Sequence, residues 1–369
     1  MTSALFQPVR FRGLSLENRI MVSPMCQYSA VEGSMTGWHL AHLGMLANSG
    51  AGLLCFEMTD VEAIGRITPA CSGLYSDPNE AALARVVAHC REHGRAKLAI
   101  QLGHAGRKAS TAPPWEGGRP LAPDEGGWEP VAPSAVSVGE GELVPRALTL
   151  AEIRALVAKF ADATRRARRL GLDAIELHGA HGYLLHQFLS PLSNRRDDEY
   201  GGSLANRMRF PLEVFAAVRA EWPEEKPLGM RVSCTDWAEG GWDIGQSVAF
   251  ARELKKAGCD WIDASSGGLV KHQAVPAAPG YQVPFAERVK KEAGIATIAI
   301  GLITEAKHAE RILAEGKADM VALARGFLWE PRWGWHAALE LGAAPQIPRQ
   351  YLRGRPAVPP AAVGERKRA

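Results

Sequence analysis

The sequence predicts an α/β fold in which eight parallel strands, each followed by a helix, close into a (β/α)8 TIM barrel. Three observations lead there. Short apolar runs alternate with longer amphipathic ones along the chain. The runs, such as GLLCFE at Gly52–Glu57 and KLAIQL at Lys97–Leu102, lack strict polar alternation, as expected of strands covered on both faces. The first strand runs into Pro24-Met25-Cys26, whereas a doubly wound open sheet, the competing architecture, usually carries a glycine-rich turn there. A length of 369 residues accommodates one such barrel with inserted loops.

In chain order, strands are expected at Arg19–Ser23, Gly52–Glu57, Leu98–Leu102, Asp173–His178, Leu228–Ser233, Trp261–Ala264, Thr297–Ile300 and Met320–Ala322. Helices are expected at Trp38–Asn48, Pro78–His93, Leu150–Leu170, Ala205–Glu221, Gln246–Ala257, Pro284–Ala293, Glu305–Glu315 and Pro331–Leu341. Ser76-Asp77-Pro78 can open a helix, and Gly94, Gly171, Gly258, Gly294 and Gly316 stand where a left-handed cap would close one. The barrel is expected over residues 1–355. An insertion at 108–146, rich in Pro, Gly and Trp, reads either as a functional lid or as a surface excursion packed by Trp115 and Trp128. Gly182–Asn206 breaks the rhythm again after the fourth strand and could cap part of the barrel mouth. The tail at 356–369, Pro/Ala-rich and then basic, is expected to fray.

Hydrophobic residues at 46% provide for a large core, and a net charge of +3 with interspersed signs points to no nucleic-acid or membrane partner. No secretory signal opens the chain and no apolar run is long enough to span a bilayer. The six cysteines form no CxxC pair, so reduced thiols and a cytoplasmic protein are expected.

Reactive groups of such barrels sit at the C-terminal ends of strands. That rule gathers Ser23, Met25, Cys26, Gln27 and Tyr28 from the first strand, Gln101, His104, Arg107 and Lys108 from the third, and His178, His181 and Tyr183 from the fourth. Arg231 comes from the fifth and Arg325 from the eighth. His178 and His181 have the spacing of two metal ligands, but no HExxH or HxxEH pattern supplies a third. Alternatively, two neutral imidazoles donate to a carbonyl oxygen while the nearby phenol supplies a proton. Gly301 and Arg325, after the last two strands, stand where barrels often bind phosphate; a surface salt bridge is the plainer reading of the arginine. Gln101 and Arg231 are either buried structural partners or partners of a heterocycle that becomes anionic. Cys26 lacks an evident base, which disfavours covalent catalysis.

SPMCQY at Ser23–Tyr28, QLGHAGRKA at Gln101–Ala109, ELHGAHGYLLHQFLSPLSN at Glu176–Asn194, YGGSLANR at Tyr200–Arg207 and RVS at Arg231–Ser233 resemble the old yellow enzyme family. The cysteine in SPMC marks its thermophilic-like subclass of NADPH dehydrogenases and xenobiotic reductases. The likeness runs from Leu5 to about Gly354. It implies an FMN-dependent ene-reductase in which hydride passes from NADPH (or NADH) by way of FMN to an alkene activated by a carbonyl or nitro group. Ser23, Pro24, Met25, Cys26 and Met58 would line the flavin, Gln101 and Arg231 would bond its pyrimidine edge, and Gly301, Ala324 and Arg325 would surround the phosphate. His178 and His181 would hold the substrate oxygen, Tyr183 would donate the proton, Cys26 would tune the flavin, and Tyr28 would shape the pocket. Two departures stand out. The family commonly has a small residue where Met58 stands. The loop PWEGGRPLAPDEGGWEPVAPSA resembles the xenobiotic-reductase branch, whereas QYLRG at Gln350–Gly354 resembles the branch whose arginine, here Arg353, completes a neighbour's site in a homodimer or homotetramer. Two other readings are a metal- or Schiff-base-dependent barrel lyase and a non-catalytic flavin redox sensor.

Overall fold

The computed structural model describes residues 3–354, so the tail expected at 356–369 lies outside the described residues. Eight strands close into a barrel: β1 (Ile20–Val22), β2 (Leu53–Asp60), β3 (Lys97–Gly103), β4 (Ala174–Gly179), β5 (Leu228–Ser233), β6 (Trp261–Ser265), β7 (Ala296–Ala299) and β8 (Met320–Leu323). Every neighbouring pair is parallel, and β8 closes onto β1 through Val321 opposite Ile20. The helices are α1 (Gly37–Leu46), α2 (Asp77–His93), α3 (Leu150–Arg169), α4 (Leu184–Leu189), α5 (Leu204–Glu221), α6 (Ile244–Lys256), α7 (Val283–Ala293), α8 (Ala306–Ala314), α9 (Arg325–Trp329) and α10 (Trp333–Glu340).

Side chains alternate across each strand, so the absence of polar alternation has a direct explanation. On β2, Leu54 and Phe56 pack outward into the main core with the helices, while Leu53 and Cys55 join Met21, Ala99, Ala174, Trp261, Ile298 and Met320 inside the barrel. A short antiparallel hairpin, Val9–Phe11 with Leu14–Leu16, packs Phe11 and Leu16 against this inner cluster. The Phe11 and Trp261 rings meet edge to face at 5.2 Å. Gly229 makes room for that indole, because a Cβ there would lie 2.1 Å from it.

Helix starts follow their caps. Thr149 and Glu152 form a capping box at α3, Ser76 caps α2, and Asp243 accepts from Gln246 N–H at α6. Among the expected closing glycines, Gly171, Gly258, Gly294 and Gly316 have positive φ. Gly94 does not; it is extended at φ −96°, because the chain turns directly into β3 with Arg95 N–H bonded to Ala47 O. The sequence pattern predicts neither the hairpin nor α4, which are too short for a periodicity, nor α9, whose first residue Arg325 stands at the expected end of the eighth strand.

Candidate active site

The alternation that fills the barrel also builds its mouth. The inward positions of Ala99, Ala174, Gly229 and Trp261 continue two residues on as Gln101, Glu176, Arg231 and Asp263, all buried. They form one polar layer. Gln101 Nε2 donates to Glu176 Oε1 at 2.8 Å, the Trp261 indole N–H reaches Glu176 Oε2 at 3.4 Å, and Arg231 Nε donates to Asp263 Oδ2 at 2.7 Å. Arg231 Nη2 continues to Ser23 Oγ at 3.1 Å on β1. Burial pushes the Asp263 carboxyl up while the Arg231 guanidinium holds it down; Arg231 itself is raised despite burial, by Asp263 and then Glu176. A guanidinium paired with a buried carboxylate therefore stands at the floor of the mouth.

Above this layer a cavity of about 370 Å³ is lined by Ser23, His181, Arg231, Gly301, Ala324 and Arg325. Ser265, Ser266, Gln282 and Thr304 line it too, four residues that the strand-end rule does not gather. Gly301 has φ +106°, and a Cβ on it would lie 2.9 Å from Gln282 Oε1. The β7–α8 backbone there is a glycine-dependent cradle facing Arg325. A guanidinium, the Gly301 backbone and serine hydroxyls lining one cavity match a phosphorylated polyol chain, and Arg231 in the same lining matches an electron-rich ring edge. The residues present thus fit FMN. Gln101 does not line this cavity; its amide nitrogen is held by Glu176, so the structural partnership considered for it is present.

The remaining expected residues form an adjoining wall. Met58, Ile67, Cys71, Ala105 and Ala109 make an apolar cluster against which Cys26, Tyr28, Trp128 and Tyr183 pack. Met58 is brought there by a bulge: Phe56 pairs with Ile100 and Met58 with Gln101, leaving Glu57 as the extra residue. The extrusion turns Glu57 outward, where it accepts from Gln27 N–H at 3.2 Å and Ser72 Oγ at 2.9 Å and so anchors the Cys26–Tyr28 segment. The departure at Met58 has a local compensation, since a Cβ on Gly103 would lie 2.7 Å from Met58 Cγ and 2.8 Å from its sulfur. Glycine at 103 is what lets a methionine fit.

His178 projects from β4 between the two walls. Its ring meets that of His181 at 5.1 Å and that of Tyr183 at 4.9 Å, both edge to face. His181 sits at φ +57°, its N–H held by Ser233 Oγ at 2.9 Å and its Nε2 2.6 Å from Ser265 Oγ. Burial lowers both imidazoles well below their ordinary range; His181 adds to the effect on His178, and Arg231 and Lys108 add to it on both. Both rings are neutral at neutral pH. Burial raises the Tyr183 phenol and the Cys26 thiol, helped at Tyr183 by Cys26 and Tyr28 and at Cys26 by Cys71 and Glu57. Cys26 is accordingly a thiol and not a nucleophilic thiolate. Among the described residues no group of three or more His, Cys, Asp or Glu is placed to hold a metal ion.

The insertion lies over this wall. The Trp128 indole N–H donates to Ile64 O at 2.9 Å, but Trp115 is exposed and meets Tyr28 edge-on at 5.8 Å, so only one of the two tryptophans packs as expected. Glu142 reaches Lys271 at 2.5 Å across a groove of about 460 Å³ lined by Tyr28, Ile67 and Lys108. Arg353 is not brought to this site. Its turn, Arg349–Gly354, follows Pro348, which with Tyr351 borders a pocket shared with Asn48, His93 and Arg95, at the barrel end opposite the mouth.

Residues 4–342 match the NADH:flavin oxidoreductase / NADH oxidase family. An NADPH dehydrogenase of Geobacillus sp. (strain WCH70) is 44% identical over 356 residues, covering 96% of this chain and 99% of that one. One from Listeria monocytogenes is 42% identical over 353 residues, covering 95% and 99%. Morphinone reductase superposes with a TM-score of 0.77 at 29% identity, covering 94% of this chain and 92% of its own. A barrel mouth fitted to FMN and these likenesses along almost the whole chain make this protein a member of the NADH:flavin oxidoreductase / NADH oxidase family, an FMN-dependent oxidoreductase of the old yellow enzyme type.

Proposed function

We propose that the protein is an ene-reductase that uses NADPH (or NADH) to reduce the C=C bond of alkenes activated by a carbonyl or nitro group. The observation that carries this reading is the meeting of His178, His181 and Tyr183 on one rim, where the neutral His178 ring contacts both the neutral His181 imidazole and the protonated Tyr183 phenol. FMN, when bound, accepts and donates hydride. Ser23, Pro24, Met25, Cys26, Met58 and Arg231 would hold its ring, with Gln101 behind them bonded to Glu176, and Gly301, Ala324 and Arg325 would hold its phosphate. His178 and His181 donate to the substrate's carbonyl or nitro oxygen and stabilise the charge that grows there. Losing one such donor costs about 3 kcal/mol of barrier, roughly a hundredfold in rate. Tyr183 gives its proton to the α-carbon; Tyr28 and Cys26 bound the space beside it.

Assembly belongs to the same proposal. Arg353, whose turn lies at the end of the barrel away from the mouth, would serve a neighbour's site in a homodimer or homotetramer. The protein works in the cytoplasm, on small molecules. Tyr183→Phe is the decisive test. By stopped-flow absorbance it slows reoxidation by cyclohexenone at least tenfold while leaving reduction by NADPH near wild type. Equal slowing of both half-reactions would remove the proton-donor role.

A further inference from the structure

Lys108 stands at the end of the turn Gly106–Lys108 that follows β3. Its Nζ donates to His181 O at 2.9 Å and to Gly268 O at 3.1 Å, and lies 4.9 Å from the centroid of the Tyr183 ring. The two carbonyls belong to loops pressed backbone to backbone: a Cβ on Gly268 would lie 2.6 Å from His181 Cα, and both residues have positive φ. One amine therefore ties the β4 loop, which carries His181 and Tyr183, to the β6 loop, and places a charge over the phenol.

We propose that Lys108 is a positioning residue for proton transfer: it fixes the loop that presents Tyr183, and its positive charge favours the phenolate that Tyr183 becomes. The inference rests on the proton-donor role of Tyr183. In that step the phenol O–H bond breaks and a C–H bond forms with the electron pair left on the α-carbon as the β-carbon receives hydride. The phenolate stays beside the ammonium until water returns a proton.

Bonding and charge are separable at this amine. A neutral amine retains two N–H groups, enough for both carbonyls, but attracts a phenolate far less. Burial first, and then Arg107 on the same turn, lowers the Lys108 pKa to about 8 against the opposing effect of Glu142 from the insertion. The other groups facing the site are His178, His181 and Tyr183 from β4 and its loop, Tyr28 from the β1 loop, and Lys271, which is paired with Glu142. Charge is thus present below pH of about 8 and lost above it, with the hydrogen bonds intact.

The test is Lys108→Gln, which keeps an N–H donor without charge. Reoxidation by cyclohexenone at pH 7 slows about tenfold more than reduction by NADPH does, and a fall in the reoxidation rate above pH of about 8, present in the wild type, disappears. In a Tyr183→Phe background Lys108→Gln adds nothing. Independently of turnover, the Lys108 Nζ resonance of the ¹⁵N-labelled wild-type apoprotein titrates near pH 8. Wild-type speed in Lys108→Gln, equal slowing in the Tyr183→Phe background, or no titration between pH 7 and 9 would each overturn the proposal. If Tyr183→Phe itself reoxidises at wild-type speed, the proton-donor reading fails first and takes this one with it.

Discussion

Gly103→Ala adds one methyl group to the barrel mouth and tests how the wall beside His178 is packed. The new Cβ would lie 2.7 Å from Met58 Cγ, 2.8 Å from Met58 Sδ and 3.3 Å from His178 Cβ. To reach ordinary contact the thioether must retreat by roughly 0.7 Å, and it is buried in a closed cluster. Gly103 does not have a positive φ, so the penalty is steric and not conformational. Overpacking of this kind costs about 1–3 kcal/mol. Met58→Ala alone leaves a cavity and costs about 2–5 kcal/mol. With Met58 gone the added methyl has space, so the double variant should be more stable than the sum of the single effects predicts, by about 1–3 kcal/mol. Urea denaturation followed by circular dichroism measures all four proteins, and the visible spectrum shows whether FMN is retained. A Gly103→Ala variant as stable as the wild type, or strict additivity in the cycle, would refute the compensation between the two residues.

Arg231→Met should destabilise the protein by about 3–5 kcal/mol and lower its FMN content, because it leaves Asp263 buried without a counter-charge; an unchanged urea midpoint would dismiss that account. His42 tests acid stability: burial first, then His39, lowers its pKa to about 4. Between pH 6.5 and 4 the unfolded chain binds a proton that the folded chain refuses, so this contribution is complete above 6.5 and lost as the pH falls. His42→Gln should flatten the decline by less than one proton, a slope change below about 1.4 kcal/mol per pH unit, read from guanidinium midpoints between pH 4.5 and 7.5; parallel curves would refute it.

The barrel was legible in the sequence because its signal is local. Runs such as Leu98–Leu102 are apolar on both faces, and Ser76 opens the helix that precedes that strand. The rim was legible for a related reason, since the strand-end rule places Ser23, His178 and Arg231 at one end whatever the strands' exact limits. What escaped depends on contacts far apart in the chain. β2 runs three residues past its expected end because the extruded Glu57 restores the inward alternation at Met58. The compensation at Gly103 required knowing that β2 and β3 are neighbours. Lys108 was uninformative alone, its meaning lying in two carbonyls 73 and 160 residues away. Asp263 escaped notice because a carboxylate inside an apolar run gains sense only from the arginine on the next strand.

The hairpin packed under Trp261 makes the barrel a vessel stoppered at its base. Whatever enters over the rim must depart by the same route. Under the function proposed above, reductant and oxidant would share that one entrance by turns.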